Sequence, residues 1–226
     1  MDLVGALLAH ELFEGFARAD LEALDLRTRI YQRDAYLWHA GDPVVAMYLV
    51  TSGLAKVRHL EADGSEVVID LVVPGETVGE FWIFEEDAKR VYDTVAVERT
   101  EVVVIPREQL FYVLERRPKL TIALAAALIR RMSRELFAIA EVQQVALEAR
   151  LARRLLGLMA VVGRHVDDGT RIDMRLSQSL LAGTVRATRE HVNRAFSRLT
   201  DAGLVRVDDG YIVVLDAEGL RRAAGP

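Results

Sequence analysis

The sequence predicts an α+β chain in three parts: a β-rich N-terminal domain, a long helix, and a C-terminal unit of short helices closed by a hairpin. Three observations support this prediction. Short β-rich runs separated by turn residues fill residues 29–105, and an apolar pattern of helical period follows Pro118. Two short helical runs then precede a strand–turn–strand pattern. We therefore divide the 226 residues into domains 1–117, 118–144 and 145–226.

The composition excludes several classes of protein. The absence of cysteine excludes disulfides, thiolate zinc sites, iron–sulfur clusters and a cysteine nucleophile. The five histidines lack metal-ligand spacing, and no GxSxG, HExxH or P-loop lysine pattern occurs, so we expect no metal, no catalytic residue and no enzyme. The chain begins without a basic n-region, and the apolar run from Leu120 stops at Arg130, too short to span a membrane. We expect a cytoplasmic protein with no membrane partner.

The β-rich domain follows a helical entry of about 25 residues. Turn residues punctuate its short strands at Gly41-Asp42-Pro43, Ser52-Gly53, Asp63-Gly64 and Pro74-Gly75. Regular short strands with turns every ~8–12 residues are typical of a sandwich or barrel. Asp63-Gly64 predicts a hairpin turn.

The long helix carries two apolar stripes. Pro118 suits its first turn. A coiled-coil seam has its members at alternating spacings of three and four: Ile122, Ala125, Ile129, Met132, Leu136, Ile139, Gln143 and Ala146. A second set including Leu124 and Leu128 faces the β-rich domain. One stripe would pack on the same helix of a second copy and the other on the chain's own β-rich domain, so the pattern predicts a homodimer. Three arginines form a solvated face: Arg130, Arg131 and Arg134. The alternative is a helix buried on two sides within one chain.

The C-terminal unit has the pattern of a winged helix-turn-helix. A helix over 147–162 and a polar loop over 163–170 precede two short helices within 176–200, which break near residues 186–188. Asp209-Gly210 marks the final hairpin. The 13 arginines and 10 acidic residues from Val145 onward give a net charge of +3, whereas the rest of the chain carries −8. A locally basic unit suits a nucleic-acid partner despite the total of −5, although ordinary surface scatter is the alternative.

The second helix of this motif has the residues of a base-reading element. Thr188 is a suitable N-cap, and Val192, Phe196 and Leu199 form an inward face. Its exposed N-terminal half carries Arg189, Glu190, Asn193 and Arg194. Arginine reads guanine O6 and N7 bidentately, and glutamate accepts from the cytosine amino group. The alternative is a solvated face with i,i+4 charge pairs.

Residues 176–205 resemble the C-terminal helix-turn-helix of the cyclic-AMP receptor protein/FNR (CRP/FNR) family of bacterial transcription regulators. The matching runs are Leu176-Ser177-Gln178, Leu181-Ala182, residues 188–194 and Gly203-Leu204-Val205. The resemblance implies base-reading roles for Arg189, Glu190 and Arg194. It also implies a palindromic promoter site of TGTGA-like half-sites on double-stranded DNA, read by a homodimer, with RNA polymerase touching the loop 163–170. Arg186 departs from the family, which has glycine at the turn.

The resemblance extends to the N-terminal domain. Residues 40–57 and 75–91 are similar to the early strands and phosphate-binding cassette of the family's cyclic-nucleotide-binding, jelly-roll-like β-roll. The resemblance implies that Gly79 lets the backbone approach the phosphate closely, and that a short helix from Glu80 points its N-terminus at the phosphate. It also implies that Arg90 forms a charge-assisted pair with the phosphate. Glu80 then accepts the ribose hydroxyl. cAMP or another cyclic nucleotide is the implied effector.

Three departures keep the alternatives to cAMP open. Val91 replaces a Ser/Thr phosphate donor, and Glu135 and Leu136 stand where the family contacts adenine. Trp82 either caps or fills the site.

The main prediction is a ligand-responsive DNA-binding transcription regulator. The alternatives are a nucleotide-binding regulatory protein acting through protein contacts and a constitutive regulator that binds DNA without an effector.

Overall fold

The chain folds into two compact units. The computed structural model describes residues 2–61, 66–141 and 145–225, and for residues 134–141 it describes the backbone alone. One unit comprises Met1–His59 and Val72–Leu136, and the other comprises Leu60–Leu71 and Phe137–Pro226. The predicted Asp63-Gly64 turn lies outside the described residues.

The N-terminal half of the chain opens with short helices and continues as two four-stranded sheets. The helices are α1 (Leu3–Leu8) and α2 (Arg18–Glu22), with a single 3₁₀ turn at Glu11–Phe13 between them. The strands are β1 (Arg27–Tyr31), β2 (Tyr36–Trp38), β3 (Ala46–Ser52), β4 (Ala55–Leu60), β5 (Glu66–Val72), β6 (Thr77–Val78), β7 (Asp93–Ala96) and β8 (Thr100–Pro106). The sheet orders are β1-β8-β3-β6 and β2-β7-β4-β5. The predicted β-roll is therefore confirmed.

Two apolar clusters stabilise this roll. One lies between the sheets and includes Leu37, Val50, Val72 and Val102. The other joins the entry helices to β3, β8 and the helices that follow, and it contains Leu12, Phe13, Met47, Ile105 and Leu124. Burial of these large side chains is the main favourable term for folding of the unit.

The long helix presents different faces to the core and to solvent. Helix α3 (Arg107–Arg116) is followed by α4 (Pro118–Glu141), which begins at the predicted proline. Leu124 and Leu128 are buried in the core cluster. Of the predicted seam, Ile122, Ile129 and Met132 remain 72%, 64% and 49% exposed. The side chains of Leu136 and Ile139 lie outside the described part.

The second unit combines four helices with a four-stranded sheet. Its elements are α5 (Leu147–Val162), β9 (Gly163–Val166), β10 (Gly169–Arg175), α6 (Gln178–Thr184), α7 (Arg189–Asp201), β11 (Val205–Asp208), β12 (Tyr211–Val214) and α8 (Ala217–Ala224). The sheet order is β11-β12-β10-β9. The winged helix-turn-helix is confirmed. The polar loop predicted over 163–170 is wrong, because these residues form most of the β9–β10 hairpin. No helix of the described residues is long and apolar enough to cross a membrane.

His10 is one of the titratable groups that link the first unit's stability to pH. Its Nδ1 accepts a hydrogen bond from the Leu12 N–H at 3.1 Å. Burial, and then the nearby Arg131 charge, lowers the His10 pKa from 6.5 to about 4. Between these values the unfolded chain binds more protons than the folded one, so stability falls as the pH is lowered from 6.5 to 4.

We expect the His10→Asn variant to lose part of this pH dependence. Asparagine also accepts a hydrogen bond at a helix start, so the cap is retained while the titration is removed. Urea unfolding at pH 7 and pH 4.5 should show that wild type loses about 1–2 kcal/mol more than the variant, allowing for partial exposure of the ring. Identical losses in the two proteins would contradict a neutral buried His10.

Candidate nucleic-acid interface and effector site

The helix-turn-helix is built from two capped helices. Ser177 Oγ accepts from the Leu180 N–H at 3.2 Å at the start of α6. Thr188 Oγ1 accepts from the His191 N–H at 3.3 Å at the start of α7. Each cap satisfies an N–H group that the helix itself leaves unpaired. The predicted N-cap at Thr188 is therefore confirmed.

Helix α7 separates a buried apolar face from an exposed polar one. Val192, Phe196 and Leu199 are buried, as predicted. The five predicted DNA-contacting residues are all exposed: Thr188, Arg189, Glu190, Asn193 and Arg194. They lie at the N-terminal end of α7, the part of a recognition helix that enters the major groove. Their donors and acceptors match those on the base edges.

The turn between these helices has an unusual backbone. Arg186 adopts φ +49°, in the left-handed region that favours glycine. Behind it, Arg150 Nη1 of α5 donates to the Val185 carbonyl at 2.6 Å. An arginine therefore stands in the conformation for which the family has glycine, and the Ala187 N–H donates to the Ala182 carbonyl at 3.0 Å across the turn.

The wing is a tight hairpin with arginines beside it. Asp209 and Gly210 have φ values of +46° and +79°, as a type I′ turn requires. Arg175 Nη2 lies 3.1 Å from Asp209 Oδ2, and its guanidinium carbon lies 5.1 Å from the centre of the Tyr211 ring. The predicted turn at Asp209-Gly210 is confirmed.

In the first unit, the cassette places Arg90 against Gly79. Arg90 is only 5% exposed, and its guanidinium stacks on Trp38 at 4.1 Å. Nη1 donates to the Gly79 carbonyl at 2.9 Å, and Nη2 donates to the Ala46 carbonyl. Gly79 has φ +88°, and a Cβ there would meet Arg90 Nη1 at 2.5 Å. Only glycine therefore fits beside this arginine. Burial lowers the pKa of Arg90.

Glu80 is buried beside a cation that sequence reasoning did not assign to the site. Glu80 is 1% exposed, and Arg131 Nη1 of α4 lies 3.0 Å from its Oε1. Arg131 also donates from Nη1 to Thr77 Oγ1 at 2.7 Å. Burial raises the pKa of Glu80, while the Arg131 charge opposes that rise. The prediction that Arg131 lies on a solvated face is wrong, because its guanidinium turns towards this carboxylate.

Three other predicted features of the cassette have different outcomes. Residues 81–84 form consecutive turns, so the predicted short helix from Glu80 is wrong. Trp82 is 44% exposed, and Val91 is also exposed. The side chains of Glu135 and Leu136 lie outside the described part.

The residues present fit a ligand that combines an anion with hydroxyl donors. Arg90 Nε and both Glu80 carboxylate oxygens are buried without a well-directed hydrogen-bond partner among the described residues. Buried polar groups normally have such partners, so unpaired ones indicate a missing ligand or water. A phosphate can accept from Arg90, and a ribose hydroxyl can donate to Glu80. Cyclic nucleotides carry both groups.

The fold and these sites define a class: a transcription regulator with a DNA-binding helix-turn-helix and a cyclic-nucleotide-binding domain. The family model for the cyclic nucleotide-binding domain matches residues 28–117. The model for the Crp-like helix-turn-helix domain matches residues 149–223.

Comparison of whole chains identifies the family. The cyclic AMP receptor protein of Thermus thermophilus is 32% identical over 216 residues, which cover 94% of this chain and 96% of that protein. The CRP-like cAMP-activated global transcriptional regulator of Mycobacterium tuberculosis is 26% identical over 215 residues, covering 94% and 96%. FixK2 from Bradyrhizobium japonicum shares the fold, with a TM-score of 0.75 at 18% identity over 90% of this chain and 99% of that one. The chain belongs to the CRP/FNR family of transcription regulators.

Proposed function

We propose that this protein is a homodimeric regulator that reads a palindromic promoter site through Arg189, Glu190 and Arg194. The observation that carries the proposal is the exposed polar N-terminal half of α7 above its buried apolar face. Thr188 and Asn193 border the same surface and contact the neighbouring backbone or bases. A promoter-DNA target supports a cytoplasmic location, and the resemblance supports RNA polymerase as a second partner at residues 163–170, which lie in the β9–β10 hairpin.

The proposal of a dimer is based on the exposed apolar residues of α4. Ile122, Ile129 and Met132 lie at spacings of seven and three on one helix and are exposed together, whereas Leu124 and Leu128 are already buried. An exposed apolar stripe at coiled-coil spacing is stabilised by pairing with the same stripe of a second copy. Two copies related by a twofold axis present two α7 helices, which suits a palindromic site.

The effector site rests on the buried polar groups of the cassette. Arg90 holds the phosphate of a cyclic nucleotide and Glu80 accepts from its ribose, while the missing side chain of Gly79 lets the Arg90 guanidinium lie against the cassette backbone. The ligand supplies the negative charge and hydroxyl donor that these groups lack. It switches DNA binding only if it binds one conformation of the protein more tightly than another. Two relatives with cAMP in their names, from Mycobacterium and Thermus, support this assignment.

A constitutive regulator without an effector is the second candidate. The guanidinium of Arg90 already donates to the Gly79 and Ala46 carbonyls, so it has partners within the protein. Val91 adds no donor beside it. Anisotropy titrations of palindromic DNA with no ligand, with cAMP and with cGMP discriminate between the candidates, because a constitutive regulator gives the same affinity in all three.

Replacing Arg189 with alanine is expected to relax the discrimination at one guanine of each half-site. A bidentate arginine–guanine contact contributes about 1–3 kcal/mol of discrimination, so binding to the preferred duplex should weaken by about that amount while mismatched duplexes change little. Competition titrations with single-base variants of the duplex measure the difference.

The matched control is Arg198→Ala on the same helix. Arg198 lies in the last turn of α7 and pairs with Glu148, away from the base-reading end. This variant should keep the wild-type base preferences. Equal loss of specific and non-specific affinity in Arg189→Ala would contradict its role in reading a base and indicate a phosphate contact.

A further inference from the structure

Arg186 occupies a backbone conformation that an arginine adopts at a cost. Its φ of +49° lies where glycine or asparagine is favoured. The turn is fixed on both sides, because the Arg186 N–H donates to the Gly183 carbonyl at 3.1 Å and the Ala187 N–H donates to the Ala182 carbonyl at 3.0 Å. Strained residues that persist in a well-determined turn are concentrated at functional sites.

The charge of Arg186 is not neutralised within the protein. Its side chain is exposed, and no ion pair joins it to a carboxylate in the part of the chain that the structure describes. A second cation lies at the same turn, because Arg150 donates to the Val185 carbonyl, and the Arg150 Nε is buried without an acceptor among the described residues. Burial, and then the Arg186 charge, lowers the pKa of Arg150. Two guanidinium groups therefore repel each other at this turn with no anion between them.

The position of Arg186 identifies the anion. The residue lies two positions before Thr188, the N-cap of α7, and so next to the base-reading face. The DNA backbone borders the major groove on both sides of an inserted helix. We propose that Arg186, with Arg150 behind it, binds a backbone phosphodiester of the DNA. The inference rests on the proposed DNA-binding function, and it assigns a contact at the position where the family has glycine.

The Arg186→Gly variant tests the proposal in two opposite directions. Glycine relieves the backbone strain, so the Tm should rise by about 2 °C. Loss of the phosphate contact should weaken DNA binding by about tenfold in 0.15 M salt and reduce the slope of log Kd against log salt by about one for each half-site. Specific and non-specific duplexes should weaken alike. Thermal unfolding and anisotropy titrations at several salt concentrations measure both effects.

Three further variants separate charge from backbone conformation. Arg186→Asn tolerates the positive φ without a charge and should lose the same slope as glycine, whereas Arg186→Lys should retain it. Arg221→Asn removes one positive charge from α8, where Arg221 pairs with Glu218, and should leave the slope unchanged.

The outcomes distinguish this proposal from the proposed function. A wild-type slope in Arg186→Gly, with wild-type affinity, would overturn the phosphate contact while leaving DNA binding intact. A loss confined to the preferred duplex would also overturn it, because that result indicates base reading. Failure of the wild-type chain to bind any duplex would overturn the proposed function and this contact together.

Discussion

Replacing Ile129 with glutamate is expected to convert the proposed dimer into a monomer. Ile129 is 64% exposed in the single chain and lies at the centre of the exposed stripe with Ile122 and Met132. In a twofold interface the substitution appears twice, and the two carboxylates meet near the axis. Burying two unpaired like charges costs several kcal/mol, which raises the dimer dissociation constant at least a hundredfold.

The single-chain fold should survive this change. The Ile129 side chain points away from the core cluster, whereas Leu128 and Leu124 on the same helix belong to it. DNA binding should weaken together with dimerisation, because two half-sites are then engaged separately and the gain from linked binding is lost. Sedimentation velocity and anisotropy titration of the same preparation measure both quantities.

Tyr112→Glu is the matched control for Ile129→Glu. Tyr112 is a large residue of α3 with 53% exposure, and it lies outside the seam. Its variant should remain dimeric, and so should the conservative Ile129→Leu. A wild-type chain that sediments as a monomer at micromolar concentration would refute the dimer and the reading of a palindrome as a unit.

The recognition helix was predictable because its signals are local. A Thr188 cap, an inward apolar face and a glycine after the helix all lie within sixteen residues, and each acts through neighbours on the same element. Pro118 marked the start of α4 for the same reason. Where structure depends on adjacent residues, the sequence contains most of the information.

The second unit shows where local signals fail. Residues 163–166 carry the polar pair Arg164 and His165, and they become a strand because β10 provides the hydrogen-bond partners. Helix α8 was also missed, although Asp216 caps it by accepting from the Gly219 N–H at 2.8 Å. That cap, followed by an amphipathic run, was a usable signal.

The candidate effector site was only partly predictable, because its members come from distant parts of the chain. Gly79, Glu80 and Arg90 lie in one cassette and were found through the resemblance. Arg131 meets Glu80 across 51 positions of sequence, and only the packing of α4 on the roll brings them together. The local sequence around an arginine on an amphipathic helix does not indicate that it pairs with a buried carboxylate from another part of the chain.

Replacing Arg90 with alanine is expected to abolish binding of a cyclic nucleotide. Val91 has no hydroxyl with which to share recognition of the phosphate, so Arg90 supplies the charged donors on this segment. Calorimetry with cAMP and with cGMP should show heat for wild type and none for the variant. Because Arg90 also bonds the Gly79 and Ala46 carbonyls, its loss can disturb the cassette, and circular dichroism with thermal unfolding must accompany the titration.

Val91→Ser tests the same site without that complication. Val91 is exposed, so the substitution leaves no cavity in the core. A serine hydroxyl beside the phosphate adds a hydrogen bond to a charged group, and we expect it to strengthen cAMP binding by about 1.5–3 kcal/mol, or about ten- to a hundredfold. Val91→Ala, which adds no donor, is the control and should keep the wild-type affinity.

The constitutive regulator is correct if three results are found together. Wild type gives no heat with millimolar cAMP or cGMP, Val91→Ser gives none either, and DNA affinity is the same with and without nucleotide. The buried Arg90 then serves the cassette alone, as a cation held by two carbonyls and the Trp38 ring.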